Sequence, residues 1–397
     1  MKIAILTSGI LPVPAMKGGA VENLVDFYVG YNIEKETHDI VVYSVIDDLK
    51  YILPRKPGKY VTNYYFIEIG TIRAKFRKLW YRLTHRKGYY HYTIEYYLDR
   101  ALRDISQQDF DLIILENRVG YALKVVKCSK AKIVIHLHND FLNSESRDAR
   151  KIYDLASRII TVSDYIGNRV KTIDPYSKKC ITVHNGIDLS IFQKDIVHYI
   201  TREHLGLDPD DFVLVYSGRL NTEKGIWELI LAITSLMRHP KIKLLVIGAS
   251  FYGEDEVDNP FINELKHIAS NLGERIKFTG YLRYKLIPIY LRLANVAVIP
   301  SIWEEPFGLT CLEAMAMGLP IIATTQGGMP EVLHPDYALM LPADIKIVPR
   351  MKDAILHLYE HPEQCESMGK AAKEASLQFD KDRYAKEFFD ALESIND

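Results

Sequence analysis

The chain has 397 residues, 48% of them hydrophobic and 25% charged, with a formal net charge of −1. Length and composition fit a globular protein of about two to three domains, and near-neutrality offers no global field for nucleic acid. No window approaches the roughly 18 uninterrupted apolar residues of a membrane span.

The opening stretch, "MKIAILTSGILPVPAMKGG", holds an apolar run that Pro12 and Pro14 break. It is too short for a signal peptide, and no cleavage-like small-residue site follows. Along the first half, "KIAIL" (2–6), "DIVVYSV" (39–45), "DLIILE" (111–116), "KIVIHLH" (132–138) and "RIITVS" (158–163) read as strands. They are continuously apolar, as parallel strands covered on both faces should be. Helical patterns over 19–35 and 92–107 separate them. The scheme repeats with "FVLVYSG" (212–218), "KLLVIG" (243–248), "IKFTG" (276–280), "VAVIPS" (296–301) and "PIIAT" (320–324). Two β-α-β series predict an α/β chain of two doubly wound, Rossmann-like domains facing each other across a cleft. The join falls near 186–205, giving domains over 1–195 and 196–378. A last helix within 379–397, with Phe388, Phe389 and Leu392 at helical spacing, is expected to brace the first domain.

Ligands of such sheets bind beyond the carboxyl ends of the strands. After the first strand, Gly18 and Gly19 precede a helix whose free N–H groups favour an anion. G-x-G-x-x-G is absent, which weakens a dehydrogenase reading. "HLHND" places His136 and His138 on one face of a strand tip. They read either as substrate contacts or as buried structural histidines, and no third residue matches them as a metal ligand. In "YSGRLNTEKGIWELI" (216–230), Arg219 and Lys224 flank a loop between strand and helix, suited to a pyrophosphate. "DPDD" (208–211) contains a D-x-D of the kind that holds a divalent ion. It precedes a strand and reads as a solvated turn. "EEPFGLTCLEAMAMGLP" (304–320) puts Glu305 in a strand-exit loop and Glu313 in the first turns of a helix. Two such carboxylates can accept hydrogen bonds from a hexose and a ribose. Cys128, Cys180, Cys311 and Cys365 form no C-x-x-C, so neither a disulfide framework nor a cysteine metal site is expected, and a reducing, cytoplasmic setting is.

The motifs "HNGID" (184–188), "SGRLNTEKGI" (217–226), "FTGYL" (278–282), "PSIWEEPFGLTCLEAMAMGLPIIAT" (300–324) and "GGMPEV" (327–332), with "KGGAVENLV" (17–25), resemble the retaining, GT-B-fold nucleotide-sugar glycosyltransferases of group 1. The resemblance implies that Arg219 and Lys224 bind the donor diphosphate and stabilise the leaving nucleotide. It implies that Glu305 holds the transferred sugar and Glu313 the ribose. Backbone around Phe307, Gly308 and Leu309 would contact sugar or phosphate, and Tyr281 and Leu282 would flank the base. Gly18 and Gly19 would face the diphosphate, and His138 would be the active-site histidine near the donor sugar, with His136 the alternative for that place. The chemistry implied is retention without metal or cofactor, the acceptor hydroxyl attacking on the face the diphosphate leaves. UDP is the expected nucleotide, by its frequency in the family, and bacterial surface polysaccharide assembly the expected setting. A nucleotide-sugar epimerase, or a non-catalytic nucleotide-sugar-binding protein of the same fold, is the alternative.

Charge is unevenly placed: residues 1–195 carry 30 Lys+Arg against 22 Asp+Glu, the remainder 20 against 29. "IRAKFRKLWYRLTHRKGYY" (72–90) holds seven Lys+Arg and no acid, with Phe76, Leu79, Trp80 and Leu83 at helical spacing. Two readings stand. The stretch docks on an anionic membrane at the inner face of the cell, where a lipid-linked acceptor waits, or its apolar side packs on the domain. The partners expected are a nucleotide-sugar donor and a saccharide or lipid-linked acceptor, with no nucleic acid.

Overall fold

The computed structural model describes residues 1–46, 62–84, 89–193, 200–249 and 259–395. It divides into two compact units. One comprises Met1–Asn185 with Lys381–Asp397, the other Gly186–Asp380. The division therefore falls at 185/186 and 380/381. The expected 195/196 boundary lies outside the described residues, and the expected 378/379 boundary is two residues early.

The first unit is built on seven parallel strands, in the order β3-β2-β1-β4-β5-β6-β7. They are β1 (Lys2–Leu6), β2 (Asp39–Ile46), β3 (Thr62–Glu68), β4 (Leu112–Glu116), β5 (Lys132–Leu137), β6 (Ala156–Thr161) and β7 (Cys180–Thr182). The central strands are buried along almost their whole length, which is why they read as unbroken apolar runs. β4 and β5 run in register with Glu116 beside His136. The helix Ala20–Lys35 buries Leu24, Val25, Tyr28, Val29 and Asn32, one stripe at helical spacing. Against it lies the terminal helix Lys381–Glu393, which buries Tyr384, Phe388, Phe389 and Leu392. Tyr28 and Phe388 stack with ring centroids 4.2 Å apart, and Arg158 Nη2 donates to the Ser394 carbonyl at 2.6 Å.

The second unit carries six parallel strands, in the order β10-β9-β8-β11-β12-β13. They are β8 (Phe212–Ser217), β9 (Ile242–Ile247), β10 (Ile276–Gly280), β11 (Val296–Ile299), β12 (Ile321–Thr324) and β13 (Ala338–Leu341). Its core joins Leu214, Leu244, Val246 and Val298 to Leu229, Ile230 and Ile233 of the helix Ile226–Thr234. The two ends of this unit meet. Ile187 and Asp380 form a parallel bridge, and the Ile187 N–H donates to the Phe379 carbonyl at 2.9 Å.

The basic helix spans Ile72–Thr84. The face turned inward carries Ala74 and Tyr81, with Tyr81 Oη donating to Asp99 at 2.6 Å. Ile72, Phe76, Leu79, Trp80 and Leu83 are 51–73% exposed, so the apolar stripe does not pack on the domain. Residues 85–88 of the basic stretch lie outside the described residues.

Candidate active site

In an open parallel sheet the binding crevice forms where the strand order reverses. In the second unit that point lies between β8 and β11. The loop leaving β8 carries Arg219 and Lys224, the loop leaving β11 carries Glu305, and the helix Leu309–Ala316 carries Glu313. Close backbone contact brings the loops together. Gly225 has φ +68°, and a Cβ there would lie 1.8 Å from the Pro300 carbonyl oxygen. The N–H groups of Ile302 and Trp303 donate to the Glu223 carbonyl at 3.0 and 3.1 Å. Lys224 Nζ pairs with the Glu305 carboxylate, which also accepts from Ser301 Oγ at 2.7 Å. The Gly328 N–H donates to the Glu305 carbonyl at 2.7 Å. A Cβ on Gly327 would lie 2.1 Å from that carbonyl oxygen. Glu305 is thus fixed through both its backbone and its side chain, with only 11% of that side chain exposed.

Two buried groups sense the whole cluster. The Tyr216 hydroxyl donates to the Arg219 carbonyl at 2.7 Å. Its acidity is suppressed chiefly by burial, then by the Glu305 carboxylate, with the Arg219 guanidinium opposing. The Cys311 thiol is raised by burial first, then by Glu305 and Glu313, with Lys224 opposing. Arg219, Lys224, Glu305 and Glu313 are therefore electrostatic neighbours, although only Lys224 and Glu305 touch as a pair. The Arg219 side chain is exposed.

Glu313 differs from Glu305. It is 7% exposed, and burial pushes its carboxyl up to about 8, a hydrogen bond with Tyr284 opposing. Tyr284 is held well above its ordinary value by burial, Glu313 and Asp188, the last residue of "HNGID". Gly308, at φ +108°, precedes the helix with no side-chain cap, leaving the first N–H groups beyond it for a ligand oxygen. Phe307 is 2% exposed, so its ring belongs to the core and only its backbone can serve a ligand. Leu309 is the first helical residue. Tyr281 and Leu282 are half-buried after β10, on the loop that continues to Tyr284.

In the first unit the order reverses between β1 and β4. Gly18 and Gly19 both have positive φ, 75° and 110°, and lead into the helix Ala20–Lys35. Glu22 fills the first turn of that helix. It accepts from Ser8 Oγ at 3.0 Å, and a Cβ on Gly19 would lie 2.3 Å from its carboxylate. An acid therefore stands where the sequence suggested an anion site. Burial raises its pKa, with the neighbouring Glu116 adding to that.

His136 and His138 do share one face, and a third residue joins them. Glu116, fully buried at the end of β4, accepts from Tyr28 Oη at 2.7 Å. His136 Nδ1 lies 3.2 Å from it and His138 Nε2 2.8 Å. The expectation that no third ligand-type residue accompanies the histidines is corrected here. The three offer ligand atoms within 4.8 Å of one another. Those atoms are already hydrogen-bonded among themselves, and the cluster reads as a carboxylate-imidazole network. "DPDD" is a turn, but not a solvated one throughout. Asp211 is 5% exposed and accepts from the Asp208 N–H at 2.8 Å, while the exposed Asp210 pairs with Lys241. Sequence reading passed over Glu116, Ser301 and Tyr284. Glu116 left a signal, an acid closing a buried strand.

Residues 199–375 match the family model of glycosyl transferases group 1, and residues 49–191 that of glycosyltransferase family 4. Spore coat protein SA of Bacillus subtilis is 26% identical over 406 residues, covering 99% of each chain. Among solved structures, the Anabaena protein Alr3699/HepE in complex with UDP and glucose is similar with a TM-score of 0.71. It shares 19% identity and spans 99% of this chain and 100% of its own. Sucrose-phosphate synthase from Thermosynechococcus elongatus gives a TM-score of 0.75 at 18% identity, over 100% and 99%. At such identities the two structures speak to the fold.

Proposed function

Because the chain belongs to the glycosyltransferase group 1 and family 4 enzymes, with their GT-B fold, we propose that it moves a hexose-type sugar from a UDP-sugar to a saccharide or lipid-linked acceptor, with retention and without a metal. The setting proposed is assembly of a bacterial surface polysaccharide. The observation that carries the donor half of this reading is the Lys224–Glu305 pair between the two loops at the β8/β11 reversal point, with Arg219 and Glu313 in electrostatic reach. UDP is favoured by the HepE complex with UDP and glucose.

The pair gives the site a resting state. Without a donor, Lys224 neutralises Glu305, so neither charge is left uncompensated at low exposure. A diphosphate placed beside Lys224 and Arg219 replaces the carboxylate as the ammonium's partner. Glu305 is then released to accept from sugar hydroxyls. In the transition state the two cations stabilise the charge developing on the departing diphosphate. Gly18 and Gly19 are assigned to the diphosphate, with the adjacent Glu22 favoured in its neutral form by burial, His138 to the sugar, Glu313 to the ribose, and Tyr281 and Leu282 to the base.

A thermal-shift panel of UDP, GDP, ADP and dTDP sugars tests the reading. A UDP-sugar at 100 times its dissociation constant should stabilise the protein by about 2.7 kcal/mol, and the others less. Lys224→Ala should cut turnover by about 10²–10³-fold. Unchanged transfer by a folded Lys224→Ala protein would remove the phosphate clamp from the mechanism.

The peripheral attachment proposed for the first unit rests on the basic helix, whose apolar residues are exposed between Arg73, Lys75, Arg77 and Arg82. No helix among the described residues is long and apolar enough to cross a membrane.

A further inference from the structure

We infer that Glu116 is a positioning residue that locks His138 in a single tautomer, with Nε2 protonated and the Nδ1 lone pair kept free to accept from a ligand hydroxyl. This rests on the reading of His138 as the active-site histidine and adds the group that prepares it.

The argument is a donor and acceptor count. Glu116 is fully buried, as is His136, and the His138 side chain is 4% exposed. An ionised carboxylate can only accept hydrogen bonds. Its three neighbours, Tyr28 Oη, His136 Nδ1 and His138 Nε2, must then all donate to it. In His138, which is neutral near pH 7, that leaves Nδ1 as the bare lone pair. Among the described residues, His138 Nδ1 is buried without a hydrogen-bond partner, as is His136 Nε2. The contact made at Nε2 and the contact missing at Nδ1 therefore fit a single arrangement at His138, a neutral ring donating from Nε2. It also keeps the carboxyl ionised: burial pushes its pKa up, but His136 and the hydrogen bonds from both imidazoles outweigh that and hold it well below the carboxylate range.

The two partnerless nitrogens are not equivalent. His136 lies within β5, against the Phe388 ring at 4.9 Å. His138 follows the last residue of β5, at the carboxyl edge of the sheet where ligands of this architecture bind. Its backbone is held as well, the His138 N–H donating to Asn117 Oδ1 at 3.1 Å. Asn117 adopts φ 58° directly after Glu116. Ring and backbone are thus anchored by consecutive residues of one strand end. Burial, with His136 nearby, lowers His138 to about 4, so its imidazole is neutral near pH 7. A neutral ring whose Nε2–H is committed to Glu116 offers a sugar hydroxyl an acceptor and no competing donor.

The test uses the full chain labelled with ¹⁵N-histidine and long-range ¹H–¹⁵N correlation NMR, without substrate. The wild-type protein at pH 7.5 should show His138 as the neutral tautomer with Nδ1 unprotonated. Glu116→Gln, whose amide can donate to Nε2, should shift it toward the Nδ1–H tautomer. Transfer from a UDP-sugar should then lose about 10- to 100-fold in kcat with KM for the donor within about twofold. Tyr28→Phe, which removes a different donor from the same carboxylate, should leave the tautomer in place. A wild-type His138 that is cationic or protonated at Nδ1 overturns the proposal without recourse to any variant, as does a Glu116→Gln protein with an unshifted tautomer. A shifted tautomer with undiminished turnover overturns instead the part given to His138 in the transfer.

Discussion

Glu305 and Glu313 are eight positions apart, yet their carboxyls live under opposite rules. Glu305 is compensated by Lys224 and Ser301. Glu313 has Tyr284 and little else, so burial lifts it to about 8 and the carboxyl is mostly protonated near pH 7. The sign of the resulting linkage is fixed. A folded pKa above the ordinary 4.5 means that Glu313 costs the fold nothing at pH 4 and progressively more as pH rises toward 8, with no further change above. Glu313→Gln should accordingly flatten that slope, matching the wild-type melting temperature near pH 5 and exceeding it at pH 9. Accepting from both hydroxyls of a ribose requires the ionised form, so UDP binding at pH 7 should release protons and tighten up to about pH 8. Calorimetry in two buffers of different ionisation enthalpy measures this. Identical apparent enthalpies at pH 7 would exclude Glu313 as the ribose acceptor.

At the scale of elements, the basic helix separates its duties by face. Tyr81 and Ala74 tie it to the domain, while Phe76, Leu79, Trp80 and Leu83 meet solvent. Trp80→Asp with Phe76→Asp should therefore leave the melting temperature within about a degree, since surface changes seldom exceed about 0.5 kcal/mol. Co-sedimentation with phosphatidylglycerol vesicles should fall at least tenfold, and binding to neutral vesicles should be weak for both proteins. Equal sedimentation of wild type and variant would leave the stripe without a membrane role. The same contrast between buried and open faces explains what could be read in advance. The ten strands expected from unbroken apolar runs are all present, because both faces of a central parallel strand are covered. The three missed are the short or half-covered edge strands β3, β7 and β13. "TNYYFIE" is half-exposed along most of its length, and "CIT" is three residues, so neither writes a continuous apolar signature. The loops around Arg219, Lys224, Glu305 and Glu313 were legible because strand, loop and helix follow one another locally. Glu116 was marked only as an acid closing a buried strand, because its partners Tyr28 and His138 lie 88 and 22 positions away. The exposed stripe was legible as a pattern only, and its direction needed coordinates.

Across the whole molecule, the terminal helix contributes four large side chains, Tyr384, Phe388, Phe389 and Leu392, to the core of the first unit. At about 1.5–3 kcal/mol for each buried side chain, they supply an amount comparable to the net stability of a domain. Deleting residues 381–397 should abolish the thermal transition of the first unit while the second still melts cooperatively and still responds to UDP. Loss of both transitions would mean that the units do not fold separately. The meeting of Ile187 with Asp380 makes this partition more than thermal. A chain that leaves one body and returns to it at almost the same spot has, topologically, inserted a guest into a host. The guest could be spliced out, its adjoining ends sealed into a circle, and the host rejoined through a linker of a few residues. Evolution could by the same route exchange one guest for another while keeping the host, its basic helix and its carboxylate-anchored histidine.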